Sequence, residues 1–173
     1  MAKMRFNGLN QVIAMLERVG DHVQGVEREV LYYGAEKGAD AMETAGESMP
    51  VETRTQRNGA PWWGTEEYPI NGLAPTEKEQ ALAQFGIMDF ETSVGTTYTK
   101  IGFTGMIEYD DGGNGFLRDH VATGELMQAT EDGTYFRTGQ HVIRPAAQKA
   151  RGPAQKAMQQ ALNDQIDKLT GGS

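Results

Sequence analysis

Phe90-Glu91-Thr92-Ser93-Val94-Gly95-Thr96-Thr97-Tyr98-Thr99-Lys100-Ile101-Gly102-Phe103 is the stretch whose reading decides the fold class. β-Branched and aromatic residues alternate with polar ones on both sides of Gly95, which predicts strands at about 90–94 and 98–103 joined by a turn. Strand character continues to Tyr109, and the glycine-rich segment Asp110-Asp111-Gly112-Gly113-Asn114-Gly115 then reads as a loop. Upstream of the strands the pattern changes from alternation to helical spacing. Leu9, Val12, Ile13, Leu16 and Val19 fall on one helical face, and Gly20-Asp21 reads as a stop and a new start. A second helix is expected over about 23–48, with Val23, Val26, Val30 and Tyr33 as its apolar stripe. The stripe then turns small at Gly34, Gly38, Ala41 and Ala45, residues that let another backbone come close, and Pro50 ends the segment.

Downstream, Leu126–Ala129 and Thr134–Thr138 are expected to form a second hairpin about Asp132-Gly133. Arg144-Pro145 opens the last helix, and Ala154, Met158, Ala161, Leu162, Ile166 and Leu169 keep its stripe. Gly152-Pro153 is expected to kink or split that helix, because proline lacks the donor that the ladder requires. Between the helical and strand regions, Pro61, Pro69 and Pro75 with Asn58-Gly59 and Asn71-Gly72 predict a long irregular insertion, placed at 54–88. Trp62, Trp63 and Tyr68 lie within it, and a short helix over 76–85 is expected to start with Thr76 and Glu79 as a capping box. The order of elements gives an α+β class, a single domain over 1–173 with N-terminal helices and a C-terminal helix packed on a small antiparallel β-sheet.

Composition limits the function classes. The chain has 24 acidic and 16 basic residues, a net charge of −8, 22 glycines and no cysteine. Thiol catalysis, disulfides and thiolate metal sites are therefore excluded. A mean hydropathy of −0.55 suits a chain that completes its burial against neighbours. No apolar run approaches a membrane span, and the first residues carry no apolar signal region, so neither a membrane nor export by the usual signal is expected. The most basic stretch, Arg144 to Lys156, has four cations over thirteen positions and no stacking aromatic, so specific DNA binding is not expected.

Candidate chemistry is sparse. His22, His120 and His141 have no metal-ligand spacing from one another or from paired carboxylates. Asp110–Gly115 resembles the start of a calcium loop, but Gly112 stands at its third position and Val121 at its twelfth, where the bidentate Glu belongs; a plain turn is the reading favoured. The same glycines lack the Lys-Ser/Thr of a phosphate loop. Glu66-Glu67 and Glu77 with Glu79 read as solvated surface. No catalytic residue, metal or cofactor is expected. Trp62-Trp63 has two readings, a satellite core under the insertion or an anchor for a protein contact.

Several short segments, taken in order, resemble the tail-completion or tail-to-head joining proteins of long-tailed bacteriophages, the group that includes the lambda minor tail protein Z type. Phe6-Asn7-Gly8-Leu9 stands where the family opens, and Pro50-Val51-Glu52-Thr53 where it has Pro-Val-Asp-Thr-Gly. Ile107-Glu108-Tyr109-Asp110 stands for its Tyr-Val-Glu-Phe-Gly-Thr segment. Val142-Ile143-Arg144-Pro145-Ala146, the best single match, stands for its Phe-Leu-Arg-Pro-Ala entry into a C-terminal helix. Arg54 replaces the family's glycine, Asp110-Asp111-Gly112-Gly113 replaces its Gly-Thr, and the segment 54–88 has no counterpart. The resemblance implies a non-enzymatic virion protein of the neck or tail, made in the host bacterial cytoplasm. It implies a ring subunit, expected to be hexameric, between the head-completion or connector proteins and the tail terminator or tail tube. DNA would pass through the lumen without specific binding. Candidate interface residues are Trp62, Trp63, Tyr68, Arg144 and Pro145. The alternatives are another neck or tail part, such as a terminator or head-closure protein, then a hydrolase using the acidic insertion, and a non-catalytic protein-binding module.

Overall fold

The computed structural model describes residues 23–52, 65–108 and 120–170. The architecture is α+β, with helices α1 (Val23–Ser48), α2 (Pro75–Ala83), α3 (Thr123–Asp132) and α4 (Ile143–Thr170). The strands are β1 (Ile70–Asn71), β2 (Phe85–Ile87), β3 (Glu91–Ser93), β4 (Thr96–Tyr98), β5 (Ile101–Phe103), β6 (Met106–Glu108), β7 (His120–Ala122) and β8 (Arg137–Thr138). In place of the single antiparallel sheet expected from sequence, the strands form two-stranded pairs: β1 with β8, β2 with β5, β3 with β4, and β6 with β7. The β1–β8 pair is parallel, while β3–β4 and β6–β7 are antiparallel. The chain forms two compact units. One is built on Met42–Gly86 and Gly102–Ala146, and the other, in its described residues, on 23–41, Ile87–Ile101 and 147–170.

The second unit is held by the apolar stripes of the two long helices. Val26, Val30 and Leu31 of α1 bury against Met158, Ala161 and Leu162 of α4, with Phe90 and Ile166 packed on the cluster. Tyr33, expected on the buried stripe, is 42% exposed, and Leu31 takes a core place instead. The small residue Gly34 does what its size suggests: a Cβ there would stand 2.5 Å from Cγ and 2.6 Å from Sδ of Met158. Helix α4 runs as one element of 28 residues through Pro153, so the expected split does not occur. Pro153 and its neighbours Arg151 and Gly152 are exposed, where water can satisfy the carbonyl that the missing N–H leaves free.

The hairpin expected around Gly95 forms, with register Glu91↔Tyr98, Thr92↔Thr97 and Ser93↔Thr96. Its second arm is shorter than expected and ends at Tyr98, because Ile101–Phe103 is a separate strand paired with β2. Both turn residues have positive φ, 50° at Val94 and 71° at Gly95, the backbone of a type I′ turn. Tyr98 Oη donates to Glu91 Oε2 at 2.6 Å, and Lys100 Nζ pairs with Glu91 Oε1 at 3.2 Å.

In the first unit, Leu73, Ala81, Ile107, Thr123 and Thr130 are completely buried. Two of these lie within the segment expected to be an irregular insertion. Its part from Ile70 onward contains β1, α2 and β2 and contributes to the core, with Ile70 and Glu77 also buried. Helix α2 begins at Pro75, and its reciprocal cap is not the expected Thr76 and Glu79. Instead Glu77 Oε2 accepts the Ala74 N–H at 2.9 Å, since Glu77 is the third residue of the helix as it begins. Residues 126–132, expected as one arm of a hairpin and its turn, belong to helix α3, and Gly133 (φ 81°) is its C-cap.

Candidate interaction site

The first unit brings together segments far apart in sequence through backbone pairing. Leu73 N–H donates to Pro50 O at 3.0 Å and Glu52 N–H to Leu73 O at 2.9 Å, which sets Pro50-Val51-Glu52 beside the chain leaving β1. The approach is close enough to demand glycine at position 72. Its φ is 94°, and a Cβ there would stand 2.0 Å from Pro50 O. Glu52 Oε2 accepts the Asn71 N–H at 2.7 Å, and Asn71 Oδ1 accepts from Gln140 Nε2 at 2.9 Å. On the other side of β1, Ile70 and Asn71 pair with Arg137 and Thr138. The Arg137 side chain is buried; its Nη1 donates to Gly72 O and, at 3.4 Å, to Thr130 Oγ1.

The start of α4 is closed by a carboxylate from another helix. Glu131, buried at the end of α3, accepts the N–H groups of Val142 (2.9 Å), Ile143 (3.0 Å) and Arg144 (2.8 Å). Val142 precedes the helix and has no side-chain oxygen, so it cannot supply a local cap. The next residue, Pro145, has no N–H, and Ala146 N–H already donates to Val142 O at 3.3 Å. Every donor of the first turn is thus met by Glu131, absent by chemistry, or within the helix. The carboxylate charge also faces the positive end of the helix dipole. The Arg144 side chain turns outward, 62% exposed, and pairs with Asp132 Oδ1 at 2.9 Å.

The structure therefore places Pro50, Val51, Glu52, Arg144 and Pro145 in one unit, with Val51 47% exposed and Pro145 exposed. Glu108 is in the same unit on β6, opposite His120. Its N–H and carbonyl are both held by the Gln80 side-chain amide, at 2.8 and 3.0 Å. Tyr68 is 44% exposed in a turn closed twice on Thr65, through Tyr68 N to Thr65 Oγ1 and Thr65 N to Tyr68 O, each 3.1 Å. Glu66 and Glu67 lie exposed in that turn. Thr53, Trp62, Trp63 and Tyr109 lie outside the described residues, as do the expected helix over 9–19 and the loop 110–115. His120 and His141 are exposed, and among the described residues no group of His, Asp and Glu is placed to hold a metal ion. None of the described helices is long and apolar enough to cross a membrane.

Sequence reasoning missed Glu131, Arg137, Asn71 and Gln140. A buried Glu looks like a surface Glu in a sequence. One local signal existed: a Pro shortly after a helix start, with no Ser, Thr, Asp or Asn just before it, requires an acceptor from elsewhere. Compared with known proteins, the chain matches no family model, no curated protein and no solved structure.

Proposed function

We propose that this chain is a structural, non-catalytic protein of a tailed-phage particle, a ring subunit that completes the tail and joins it to the head connector. One observation carries the reading beyond the sequence resemblance. Two of the motif segments, the described part Pro50-Val51-Glu52 of the first and Val142–Ala146, are some ninety positions apart in sequence and belong to one unit. Each is held in that unit by polar contacts, Glu52 by the Asn71 N–H, which is followed by Asn71 Oδ1 and Gln140, and Val142, Ile143 and Arg144 by the Glu131 carboxylate. These contacts fix backbone and leave Val51, Arg144 and Pro145 exposed, which suits a docking surface.

The test is deletion of the gene from its phage, with the lysate viewed by negative-stain microscopy. Filled heads and finished tails lying apart are the expected result. Normal infectious virions would overturn the proposal. Localisation of the protein in assembled particles separates a joining protein from a terminator or head-closure protein.

A further inference from the structure

The chain contains four Asn-Gly pairs, Asn7-Gly8, Asn58-Gly59, Asn71-Gly72 and Asn114-Gly115, and of these Asn71-Gly72 lies in the described residues. Asparagine before glycine is the pairing in which a side-chain amide is lost most readily, because glycine has no Cβ to keep its backbone nitrogen from the preceding Cγ. At this pair the Gly72 nitrogen would bond to Asn71 Cγ. The side-chain nitrogen would leave as ammonia, taking up the proton of the Gly72 N–H. Water then opens the succinimide ring. Cleavage at Cγ gives aspartate, and cleavage at the main-chain carbonyl gives isoaspartate, whose backbone is one methylene longer. Water is the only other reactant.

The fold itself requires the reactive glycine. Gly72 has φ 94°, and a Cβ there would stand 2.0 Å from Pro50 O. Asn71 is exposed, so water reaches its side chain. The same structure restrains the amide from three sides. Asn71 is extended in β1, in register with Thr138, and an extended backbone turns the following nitrogen away from the side chain that must meet it. Its N–H donates to Glu52 Oε2 at 2.7 Å. Its Oδ1 accepts from Gln140 Nε2 at 2.9 Å, which draws the side chain across the ladder rather than back along its own chain. Gln140 Nε2 is steadied in turn by donating to Thr138 O at 3.1 Å.

We propose that Asn71 is a deamidation site held shut by Glu52 and Gln140, and that it reacts when β1 opens from its neighbours. Conversion to aspartate keeps the length of the main chain. Conversion to isoaspartate lengthens it next to Gly72, where Pro50 O leaves no room, and so releases Pro50-Val51-Glu52 from the chain leaving β1. The modification would therefore disable the segment that presents Val51, whether or not the chain belongs to a phage neck.

The test keeps the full chain at mildly alkaline pH, folded and in urea. Samples are digested at intervals, and peptide mass spectrometry with chromatography separates the amide, aspartate and isoaspartate forms of each Asn-Gly pair. In urea, Asn71 should convert alongside the other three. In the folded chain it should convert slower than in urea by roughly tenfold or more, since only the open fraction reacts. Glu52→Ala and Gln140→Ala, with folding checked by circular dichroism, should each speed the folded-state rate roughly threefold to tenfold through loss of one hydrogen bond. Glu52→Gln retains an acceptor and should stay near the wild-type rate. Should an alanine variant unfold, the wild type is followed in urea below its unfolding transition. There the Asn71 rate should climb together with hydrogen exchange at the Ile70 and Leu73 amides, which bond Phe136 O and Pro50 O. Conversion of Asn71 as fast in the folded chain as in urea overturns the proposal. Folded alanine variants that react no faster than wild type overturn it too, as does an Asn71 that stays intact in urea.

Discussion

Replacing Glu131 with alanine removes the acceptor that closes the start of α4, and the structure allows the effect to be sized. Loss of a helix cap costs about 1 kcal/mol. The Ile143 N–H is buried and would be left without an acceptor, which adds about 1–2 kcal/mol. The Val142 and Arg144 donors are only part-buried, so water can replace their bonds at small cost. The lost carboxylate charge at the helix start adds up to about 1 kcal/mol. The expected total is about 3 kcal/mol, a large share of the roughly 5–15 kcal/mol that holds a domain together. At about 2–4 °C per kcal/mol for a chain of this size, the melting temperature should fall by about 6–12 °C. Urea unfolding followed by circular dichroism measures it directly, with an unchanged slope showing that stability alone has moved. Glu131→Gln should fall between wild type and alanine, because one oxygen remains while the amide nitrogen faces a donor. A loss below about 0.5 kcal/mol for the alanine variant would refute the reasoning, since it would mean that water or a local residue caps α4 equally well.

Three further outcomes are expected. Gly34→Ala gains about 1 kcal/mol of helix propensity but drives a methyl into Met158, and the net result should be destabilisation; adding Met158→Ala should make the Gly34→Ala change favourable, as a double-mutant cycle on urea midpoints will show. Val94→Asn should stabilise the β3–β4 hairpin by about 1 kcal/mol, read as a rise in melting temperature, because a β-branched residue at φ 50° is strained where Asn is not. The pKa of Tyr98 is raised, first by its hydrogen bond to Glu91, then by desolvation and the Glu91 charge, with Lys100 pulling the other way. A raised tyrosine value means that the contribution is present below the unfolded value and is lost as pH rises through the folded one. An absorbance titration of wild type against Tyr98→Phe should place this phenol above the ordinary range, and Glu91→Gln should bring it down.

The parts of the fold legible in the sequence are those whose cause is local. Helix α1 has Val26 and Val30 buried at the expected helical spacing and Pro50 just beyond its end, and it stops at Ser48 as expected. The turn at Gly95 is likewise a matter of a few adjacent residues. Helix α3 was misread although its buried residues Thr123, Leu126, Met127, Thr130 and Glu131 have helical spacing. Three of those five are polar, so hydropathy hid the stripe and the Asp-Gly pair suggested a hairpin turn. The β1–β8 pair could not be read at all. Each strand has two residues, and their partnership joins positions more than sixty apart with no local signal. The same holds for the candidate site. Pro50–Glu52 and Arg144-Pro145 were visible as motifs, but what unites them is Glu131, Asn71 and Gln140, polar residues whose burial and partners are set by tertiary structure.

Whether the chain joins heads to tails is tested by complementation in a lysate. Phage deleted for the gene is grown, the lysate is mixed with the purified chain, and plaque-forming particles are counted beside a buffer control. The titre should rise by orders of magnitude, with separate heads and tails converted to joined particles under the microscope. An unchanged titre with added protein, in a lysate whose heads and tails are demonstrably complete, would contradict a joining role.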